Sequence, residues 1–289
     1  MANLKEIKAR ISSVSSTMKI TSAMKMVSAA KLKKAQDRIS NIKPYADGFK
    51  STIQKILPSV SNLNNKLTES NSQSNKVLFI PITSNRGLCG GFNANVFKKI
   101  KELTQTKFQK SDIDVFCIGK KASDAAVRAG YNIINSDDNI IEDCKPNIVK
   151  KHCNFIKKKF LMGEWSSVYI IYNKFKNAAT QIITDEQFMP IDIGLENENN
   201  SLQDYIFEPD KKEIVNTLLP KKLEIQFFKS ILDSIASEHG ARMTAMHKAT
   251  DNAEELRQDL TLTYNRQRQA AITNEILEIV AGAEALRGS

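Results

Sequence analysis

The stretch from Lys221 to Leu286 most constrains what this chain can fold into. It contains no proline and has only Gly240 and Gly282 as weak helix formers. A helix of about 66 residues would be roughly 100 Å long, because each residue adds about 1.5 Å. Such a helix cannot fold back inside a compact domain. The sequence therefore predicts a long C-terminal helical arm, residues 210–289, which opens with a helical lead-in.

The N-terminal segment, residues 1–57, carries a matching pattern. Apolar side chains recur with alternating spacings of three and four at Leu4, Ile7, Ile11, Val14 and Met18, and again at Leu32, Ala35, Ile39, Ile42, Ala46, Phe49, Ile53 and Ile56. In the C-terminal arm the same spacing is kept by Met246, Ala249, Ala253, Leu256, Leu260 and Thr263. This spacing is typical of a coiled-coil seam. Pro44 predicts a kink in the N-terminal arm.

The middle of the chain, residues 76–208, alternates short apolar stretches with amphipathic ones. The predicted strands are "KVLFIPIT", "DIDVFCIG", "YNIINS", "SSVYIIYNKF" and "TQIITDEQF". Strands that alternate with helices predict a Rossmann-like α/β domain with a largely parallel sheet. The last two strands are close enough in sequence to form an antiparallel pair.

The two arms are predicted to pair with each other as a long antiparallel two-helix coiled coil. If both leave the middle domain near residues 57 and 210, residue i of the first arm lies opposite about residue 266 minus i. The first arm then ends sooner, and about 20 residues of the second would project alone by roughly 30 Å. That overhang is apolar around most of its circumference, which implies a socket on another protein. The alternative is that the tail folds back onto its own domain.

Both seams are interrupted by polar residues. The first passes through Thr21, Lys25 and Ser28, and the second through His239 and Arg242. Under the expected pairing these two interruptions lie opposite each other, where many small residues let the helices approach closely. The sequence thus predicts a thin, cationic waist. A polar pair that only sets the register is an equally good interpretation.

Charge is distributed unevenly along the chain. Residues 1–57 contain 12 Lys or Arg against three acidic residues, a net charge of +9 out of a total of +10. Residues 221–289 contain 9 basic and 10 acidic residues. An acidic partner should therefore meet the N-terminal arm. Nucleic acid, an acidic protein surface and anionic lipid all have that character.

Several classes of site are not indicated. No apolar stretch approaches the roughly 18 residues of a membrane span, and the first residues do not resemble a signal peptide. Cys89, Cys117, Cys144 and Cys153 have neither the spacing of a zinc site nor that of a disulfide framework, so free thiols are expected. The three histidines are scattered. We expect no catalytic residue, no metal and no cofactor.

A glycine-rich stretch, "SNRGLCGGFN" at residues 84–93, stands between a predicted strand and a predicted helix. That arrangement can cradle phosphates at a helix start. The spacing of Gly87, Gly90 and Gly91 fits neither common phosphate-binding motif, and Phe92 and Asn93 stand where a Lys and a Ser or Thr would be needed. A tight strand-to-helix turn is the better interpretation.

Three long motifs, in the same order along the chain, closely resemble the γ subunit of F-type ATP synthase. They are "KITSAMKMVSAAKLKKAQ", "SNRGLCGGFN" and "SEHGARMTAMHKATDNAEEL" with its continuation to "EILEIVAGAEAL". The resemblance covers both arms and the middle domain. It implies a non-catalytic rotor shaft whose coiled coil stands inside a ring of α and β subunits, while its globular domain binds the ε subunit and the membrane c-ring. A bacterial protein of this kind would be peripheral on the cytoplasmic face of the cell membrane.

The resemblance also implies which residues make contacts. Those expected at the α/β ring are Met24, Lys25, Arg86, Cys89, Arg242, Arg268, Gln269, Thr273, Ile276 and Ile279. Met24 and Arg242 would face an acidic lever of the β subunit, with Arg86 and Cys89 near it. The three polar residues near the C-terminus would meet catch loops, and the helix from Ile272 to Leu286 would turn in an apolar sleeve. Tyr205 is the candidate for contact with the c-ring or ε.

The sequence departs from the family pattern at Asn85, where the family commonly has Asp, so any ion pair made there is absent or rearranged. Three rival interpretations remain open at this stage. They are a nucleotide-binding α/β enzyme, a nucleic-acid-binding coiled coil and a basic helix on a membrane surface. The first leaves both arms without a role, and the second lacks the aromatic residues typical of single-strand binders.

Overall fold

The structure is a computed structural model that describes residues 4–56, 67–69, 74–109, 111–191, 208 and 210–287. Its elements in chain order are α1 (Leu4–Ile56), β1 (Lys76–Pro81), α2 (Phe92–Thr106), β2 (Asp112–Ile118), α3 (Lys120–Ala129), β3 (Asn132–Asp137), α4 (Asn139–Glu142), α5 (Pro146–Leu161), β4 (Ser167–Phe175), β5 (Gln181–Met189) and α6 (Lys211–Arg287). The chain divides into two compact units, Ser28–Arg242 and the pair Met1–Val27 with Met243–Ser289.

The predicted α/β domain is confirmed within the unit Ser28–Arg242. Its sheet has the strand order β3-β2-β1-β4-β5. The first four of these strands are parallel, and β5 pairs antiparallel with β4. The central strands are buried almost completely, as expected for a parallel sheet covered on both faces. The antiparallel hairpin follows from the short link between the last two strands.

Helix α2 shows how the sheet is covered. Its residues Val96, Ile100 and Leu103 are buried and belong to one apolar cluster with Phe79 of β1 and Ile171 of β4. These positions are three or four residues apart, so they share one face of the helix. This packing fixes the start of α2, and with it the glycine-rich loop at residues 84–91.

Gly119 makes the junction between β2 and α3 possible. Its φ is +89°, and a Cβ atom at this position would lie 2.3 Å from the carbonyl oxygen of Thr83. Only glycine permits both the backbone conformation and this close approach. The end of β1 therefore lies directly against the start of α3.

The predicted seam of α1 is confirmed. Every described seam position from Leu4 to Ile56 is buried or partly buried, including the polar residues Thr21, Lys25 and Ser28. Pro44 lies within α1, which continues to Ile56. Residues Ile20 and Val27, which are off the seam, are 60% and 57% exposed.

Helix α6 is 77 residues long and includes Pro220, so the predicted lead-in and arm form one helix. The predicted seam of this arm is buried or partly buried at Met246, Ala249, Ala253 and Leu260, but it is wrong at Leu256 and Thr263. Leu256 is 49% exposed and Thr263 is also exposed, whereas Arg257 and Tyr264, one residue further along each time, are partly buried. The partner helix determines which residues of an antiparallel pair are buried between the helices. An apolar residue with the right spacing is therefore not always the one that is buried.

The two helices of the unit formed by Met1–Val27 and Met243–Ser289 run antiparallel, but not in the predicted register. The hydroxyl oxygens of Thr21 and Thr250 are 2.9 Å apart, and Lys25 Nζ lies 3.4 Å from His247 Nδ1. These pairs place residue i opposite about residue 271 minus i. The rule of 266 minus i assumed that both helices leave the sheet domain at the same height, which sequence cannot establish. Lys25 is therefore not opposite residue 241, and the proposed alignment of the two polar interruptions is wrong.

The end of α6 is exposed on all sides. Every side chain from Arg268 to Ala283 is exposed, among them Ile272, Ile276, Leu277, Ile279 and Val280 at 48–67%. None of the described helices is long and apolar enough to cross a membrane.

Candidate functional site

The interior of the glycine-rich loop, residues 84–91, is occupied by side chains of the loop and by Asn93 at the start of α2. Asn93 Nδ2 donates to Ser84 Oγ at 2.8 Å and lies 3.3 Å from Cys89 Sγ, while Ser84 Oγ donates to the carbonyl of Arg86 at 2.6 Å. The backbone N–H of Ser84 donates to Asn93 Oδ1 at 3.0 Å. A phosphate cradle needs free N–H groups around an open centre. This loop uses Asn93 where such a cradle would hold the anion.

Asn85 ties the loop to the next two elements. Its Oδ1 accepts from the backbone N–H of Lys120 at the start of α3, and its Nδ2 donates to the carbonyl of Asp138 at 2.8 Å. An aspartate could make the first contact but not the second, because a carboxylate has no donor. The amide of Asn85 thus bridges two backbone groups, one at the start of α3 and the other just after β3.

Arg242 of α6 holds the other side of the loop. Its guanidinium donates to the carbonyls of Arg86 (3.0 Å) and Gly87 (3.3 Å) and to Glu238 Oε1 (2.6 Å). Arg242 is only 8% exposed and Glu238 only 6%. A buried carboxylate without a cation would be costly, so each charge needs the other. Burial raises the pKa of Glu238, and the adjacent Arg242 opposes that rise.

A cleft of about 400 Å³ opens beside this clamp. Its basic residues are Lys31, Lys34 and Arg38 of α1, Arg86 of the loop and Arg242, and its acidic residues are Glu142 and Glu238. His239 also lines it, and burial, with Arg242 and Lys31 nearby, lowers the pKa of this imidazole to about 4. The histidine is therefore neutral at pH 7, and the cleft carries an excess of positive charge.

The thiol of Cys89 lies inside the loop. Cys89 is 2% exposed, and burial raises the pKa of its thiol. The other three cysteines are also free and buried, and burial raises the pKa of Cys117 to about 11 and those of Cys144 and Cys153 to about 12. At neutral pH all four are thiols, which react slowly because the thiolate is the nucleophile.

The remaining sequence-predicted residues lie in the unit formed by Met1–Val27 and Met243–Ser289. Met24 and Lys25 are partly buried on α1. Arg268, Gln269, Thr273, Ile276 and Ile279 are all exposed on the last turns of α6. The Thr273 hydroxyl donates to the carbonyl of Gln269 at 3.0 Å, within the helix. Tyr205 lies outside the described residues, so its assignment stays a prediction.

Comparison with known proteins decides the family. A family model described as "ATP synthase" matches residues 3–286. The "ATP synthase gamma chain" of Flavobacterium psychrophilum is 53% identical over 288 residues, covering 100% of each chain, and that of Flavobacterium johnsoniae is 54% identical with the same coverage. The chain belongs to the ATP synthase γ chain family. A γ chain is a stalk subunit of ATP synthase and not the catalytic subunit.

Solved structures agree on the fold of this γ-family chain. The rotor of the Euglena gracilis mitochondrial ATP synthase in rotational state 1 matches with a TM-score of 0.67 and 20% identity, covering 93% of this chain and 98% of that one. A second structure of the Euglena gracilis enzyme, described as OSCP/F1/c-ring in rotational state 3, matches with a TM-score of 0.69 and 22% identity, covering 98% of this chain and 94% of that one.

Sequence reasoning on this γ-family chain missed Glu238 and Leu88. Glu238 stands four residues before Arg242, and that spacing on a helix was a usable signal for an ion pair. Leu88 lies among glycines in a loop, and nothing in the sequence marks it as the residue that takes a positive φ of 62°. Arg242 of α6 donates to the carbonyls of the two residues before Leu88, and only the fold brings these groups together.

Proposed function

We propose that this γ-family chain is the central shaft of an F-type ATP synthase, which couples rotation of a membrane c-ring to ATP synthesis on β subunits, or ATP hydrolysis to ion pumping. Its functional parts would be the arms, residues 1–57 and 210–289, and the sheet domain, residues 76–208. Family membership over the whole chain supports this role.

The observation that carries the proposal is the exposed end of α6. A helix with Ile276 at 55% and Ile279 at 67% exposure, and with every side chain from 268 to 283 exposed, presents apolar surface that water disfavours. An apolar sleeve formed by the α and β subunits would cover it. A contact without fixed hydrogen bonds lets the helix turn within its socket, which is what a bearing requires.

We propose polar contacts with the ring at two places. One is next to the exposed end of α6, and the other is around the glycine-rich loop. Arg268, Gln269 and Thr273 would meet catch loops of the ring. Met24, Arg86, Cys89 and Arg242 are the candidates for the region that faces an acidic lever of β, where Arg242 can act through the loop that it holds, and Lys25 is a further candidate for contact with the ring. The positive cleft lined by Lys31, Lys34 and Arg38, which also contains Arg86 and Arg242, supports an acidic partner near the loop.

Coupling in such a machine is a shift of populations. Each orientation of the shaft must have a different contact free energy with the conformations of β, because a partner that binds all conformations equally shifts none of them. The reverse also holds, so ATP chemistry can turn the shaft and the shaft can drive ATP chemistry. The loop and tip residues act by touching the subunits that bind nucleotide.

The ε subunit and the c-ring are the proposed partners of the sheet domain, with Tyr205 as the candidate contact. The chain would then be peripheral on the cytoplasmic face of a bacterial cell membrane, held there by its partners. Relatives named as bacterial ATP synthase γ chains support this placement.

The test is rotation of the full chain in a complex reconstituted with α and β subunits. Val127 on α3 is 68% exposed, so a Val127→Cys variant can carry a probe. The native thiols are buried and have raised pKa values, so the probe should attach selectively to the new cysteine. With the ring fixed to a surface, the probe should rotate when ATP is added and stop when ATP is removed. A stationary probe on a complex that hydrolyses ATP would contradict the shaft role.

A further inference from the structure

Leu88 has an unusual backbone conformation for its type. Among the described residues it is the one non-glycine with a positive φ, at +62°, and its side chain is 63% exposed. A leucine in the left-handed region is strained, because its Cβ crowds the carbonyl that follows. Glycines at 87 and 90 show that the loop tolerates glycine, yet a large apolar side chain occupies the strained position.

Contacts on both sides keep Leu88 in this conformation. Arg242 donates to the carbonyls of Arg86 and Gly87, and the backbone N–H of Phe92 donates to the carbonyl of Cys89 at 3.3 Å. The backbone before and after Leu88 is therefore fixed, while the leucine side chain itself projects into solvent. Strained residues persist where the surroundings overdetermine them, and they cluster at functional sites.

Arg242 suits this clamp better than any other residue type. A guanidinium is planar and permanently charged, and it presents several donors in a fixed fork. Here that fork reaches two carbonyls and Glu238 at once. Because Arg242 is only 8% exposed, its role in the free chain is to hold the loop.

The surroundings of the loop indicate what Leu88 would meet. Arg86 and Asn85 line the positive cleft together with Lys31, Lys34 and Arg38. The cleft has two acidic residues, Glu238, which is paired with Arg242, and Glu142, so its basic residues outnumber its acidic ones. An exposed leucine in the same loop as Arg86, which lines this positive cleft, fits a partner surface that combines an apolar recess with carboxylates.

We propose that Leu88 is the apolar anchor through which the loop docks into a carboxylate-bordered recess of a partner subunit, and that Arg242 is the positioning residue that holds this anchor in place. The proposal rests on the proposed function for its partner, the ring of α and β subunits. It differs from a simple charge contact because the anchor is an uncharged side chain held under strain.

Leu88→Gly gives the sharpest test, because the proposal predicts effects of opposite sign. Glycine relieves the left-handed strain, so the melting temperature of the free chain should rise. Loss of the anchor should weaken binding to the α/β ring about tenfold, in the range for removing a large apolar contact at an interface. A lower melting temperature, or an unchanged affinity, would overturn the proposal.

Two further variants serve as controls. Leu88→Asn keeps a side chain that tolerates a positive φ but is polar, so it should weaken binding nearly as much as glycine does. Val127→Ala removes an aliphatic side chain of similar exposure on α3, and the affinity should not change. Equal losses from Leu88→Gly and Val127→Ala would contradict a specific anchor. Rotation of the unaltered chain in the same preparation keeps this test separate from that of the shaft role.

The role of Arg242 is tested with Arg242→Lys, alone and combined with Leu88→Gly. A lysine keeps the charge but cannot bond both carbonyls in the same fork. Amide exchange at residues 85–91 of the free full-length chain should become about tenfold faster, because the clamp is lost. Affinity for the ring should fall, and the double variant should bind no more weakly than Leu88→Gly. Additive losses would mean that Arg242 contacts the partner directly, which would overturn its positioning role.

Discussion

The sheet domain and the end of α6 are stabilised in opposite ways. In the unit Ser28–Arg242, strands such as β1 and β2 are almost wholly buried, and buried polar groups such as Asp114 are hydrogen-bonded. Along residues 268–283 of α6 every side chain is exposed, although many are apolar. The sheet domain contains its own core. The tip has the composition of a core but must find its partner atoms on another protein.

The first prediction compares how much one apolar substitution in each region lowers the free energy of unfolding, and it has the largest expected effect. Ile118→Ala removes a side chain that is fully buried in β2. It should lower the free energy of unfolding by about 2 to 5 kcal/mol, because the lost contacts leave a cavity. Ile276→Ala, on the tip, should change it by less than about 0.5 kcal/mol in the free chain. Urea unfolding of the two variants measures both values.

When affinity for the ring is measured, the variant with the smaller effect on folding stability should have the larger effect on binding. Ile276→Ala should then weaken the complex, whereas folded Ile118→Ala chain should bind normally. An equal loss of folding stability from both would show that the tip packs within its own chain, and the contrast between the regions would fail.

The second prediction concerns Asp233, a carboxyl group of α6 that is buried within the unit Ser28–Arg242. It is 6% exposed, and burial raises its pKa from 3.8 to about 6, with Glu186 adding to the rise and Lys229 and Lys174 opposing it. The folded state therefore holds this proton more tightly than the unfolded state does. The stability that it contributes is present below about pH 4 and is lost as the pH rises to about 6.

Asp233→Asn removes that loss, so the variant should be more stable than the unaltered chain above pH 7, by about 1 to 3 kcal/mol. The measurement is the unfolding free energy from pH 5 to pH 8. His239 has the opposite sign, since its lowered pKa makes stability rise with pH between about 4 and 6.5. Because both chains contain His239, its contribution cancels when the unfolding free energy of the unaltered chain is subtracted from that of the variant. A difference that does not grow with pH would contradict the assignment.

Local periodicity made much of this fold predictable. The seam of α1 follows from spacing alone, and its polar positions Thr21 and Ser28 are buried as that spacing requires. The parallel order of β1 to β4 and the antiparallel β5 follow from the lengths of the connections. These features depend on neighbours in sequence, which is why a single chain reveals them.

Features that depend on distant neighbours were not predictable. The register of α1 against α6 was wrong by about five residues, because it depends on how far each helix continues beyond the sheet. The contacts of Arg242 with two carbonyls of the loop join residues more than 150 apart in sequence. The sequence marked Arg242 and the loop separately, but gave no sign that one holds the other.

The third prediction tests whether the amide of Asn85 is needed in the sheet domain. Asn85→Asp keeps the acceptor for the Lys120 N–H but sets a carboxylate oxygen against the carbonyl of Asp138. The unfolding free energy should fall by about 1 kcal/mol, the usual net value of one such hydrogen bond. Asn85→Ala, which loses both contacts, should lose more. A gain in stability from Asn85→Asp would show that a charge at the start of α3 outweighs the lost donor.

The smallest expected effect lies in the helical pair, at Thr21 and Thr250. Their hydroxyls are 2.9 Å apart, and each also lies near a carbonyl of its own helix, Met18 for the first and Met246 for the second. Neither hydroxyl is left without a partner when the other is removed. Thr21→Val and Thr250→Val should therefore each lower the unfolding free energy by only about 0.5 kcal/mol.

The double variant distinguishes shape from hydrogen bonding as the basis of this helical contact. Valine has nearly the same shape as threonine, so two valines can pack against each other and replace the polar pair. We expect Thr21→Val with Thr250→Val to be close to the unaltered chain in stability, because apolar groups of the same shape can replace both partners at little loss. Thermal unfolding of all four chains completes the cycle. If the two single losses simply add, the two side chains are not coupled, and each hydroxyl stabilises the chain only through the carbonyl of its own helix, which would contradict a direct contribution of this pair to the helical contact.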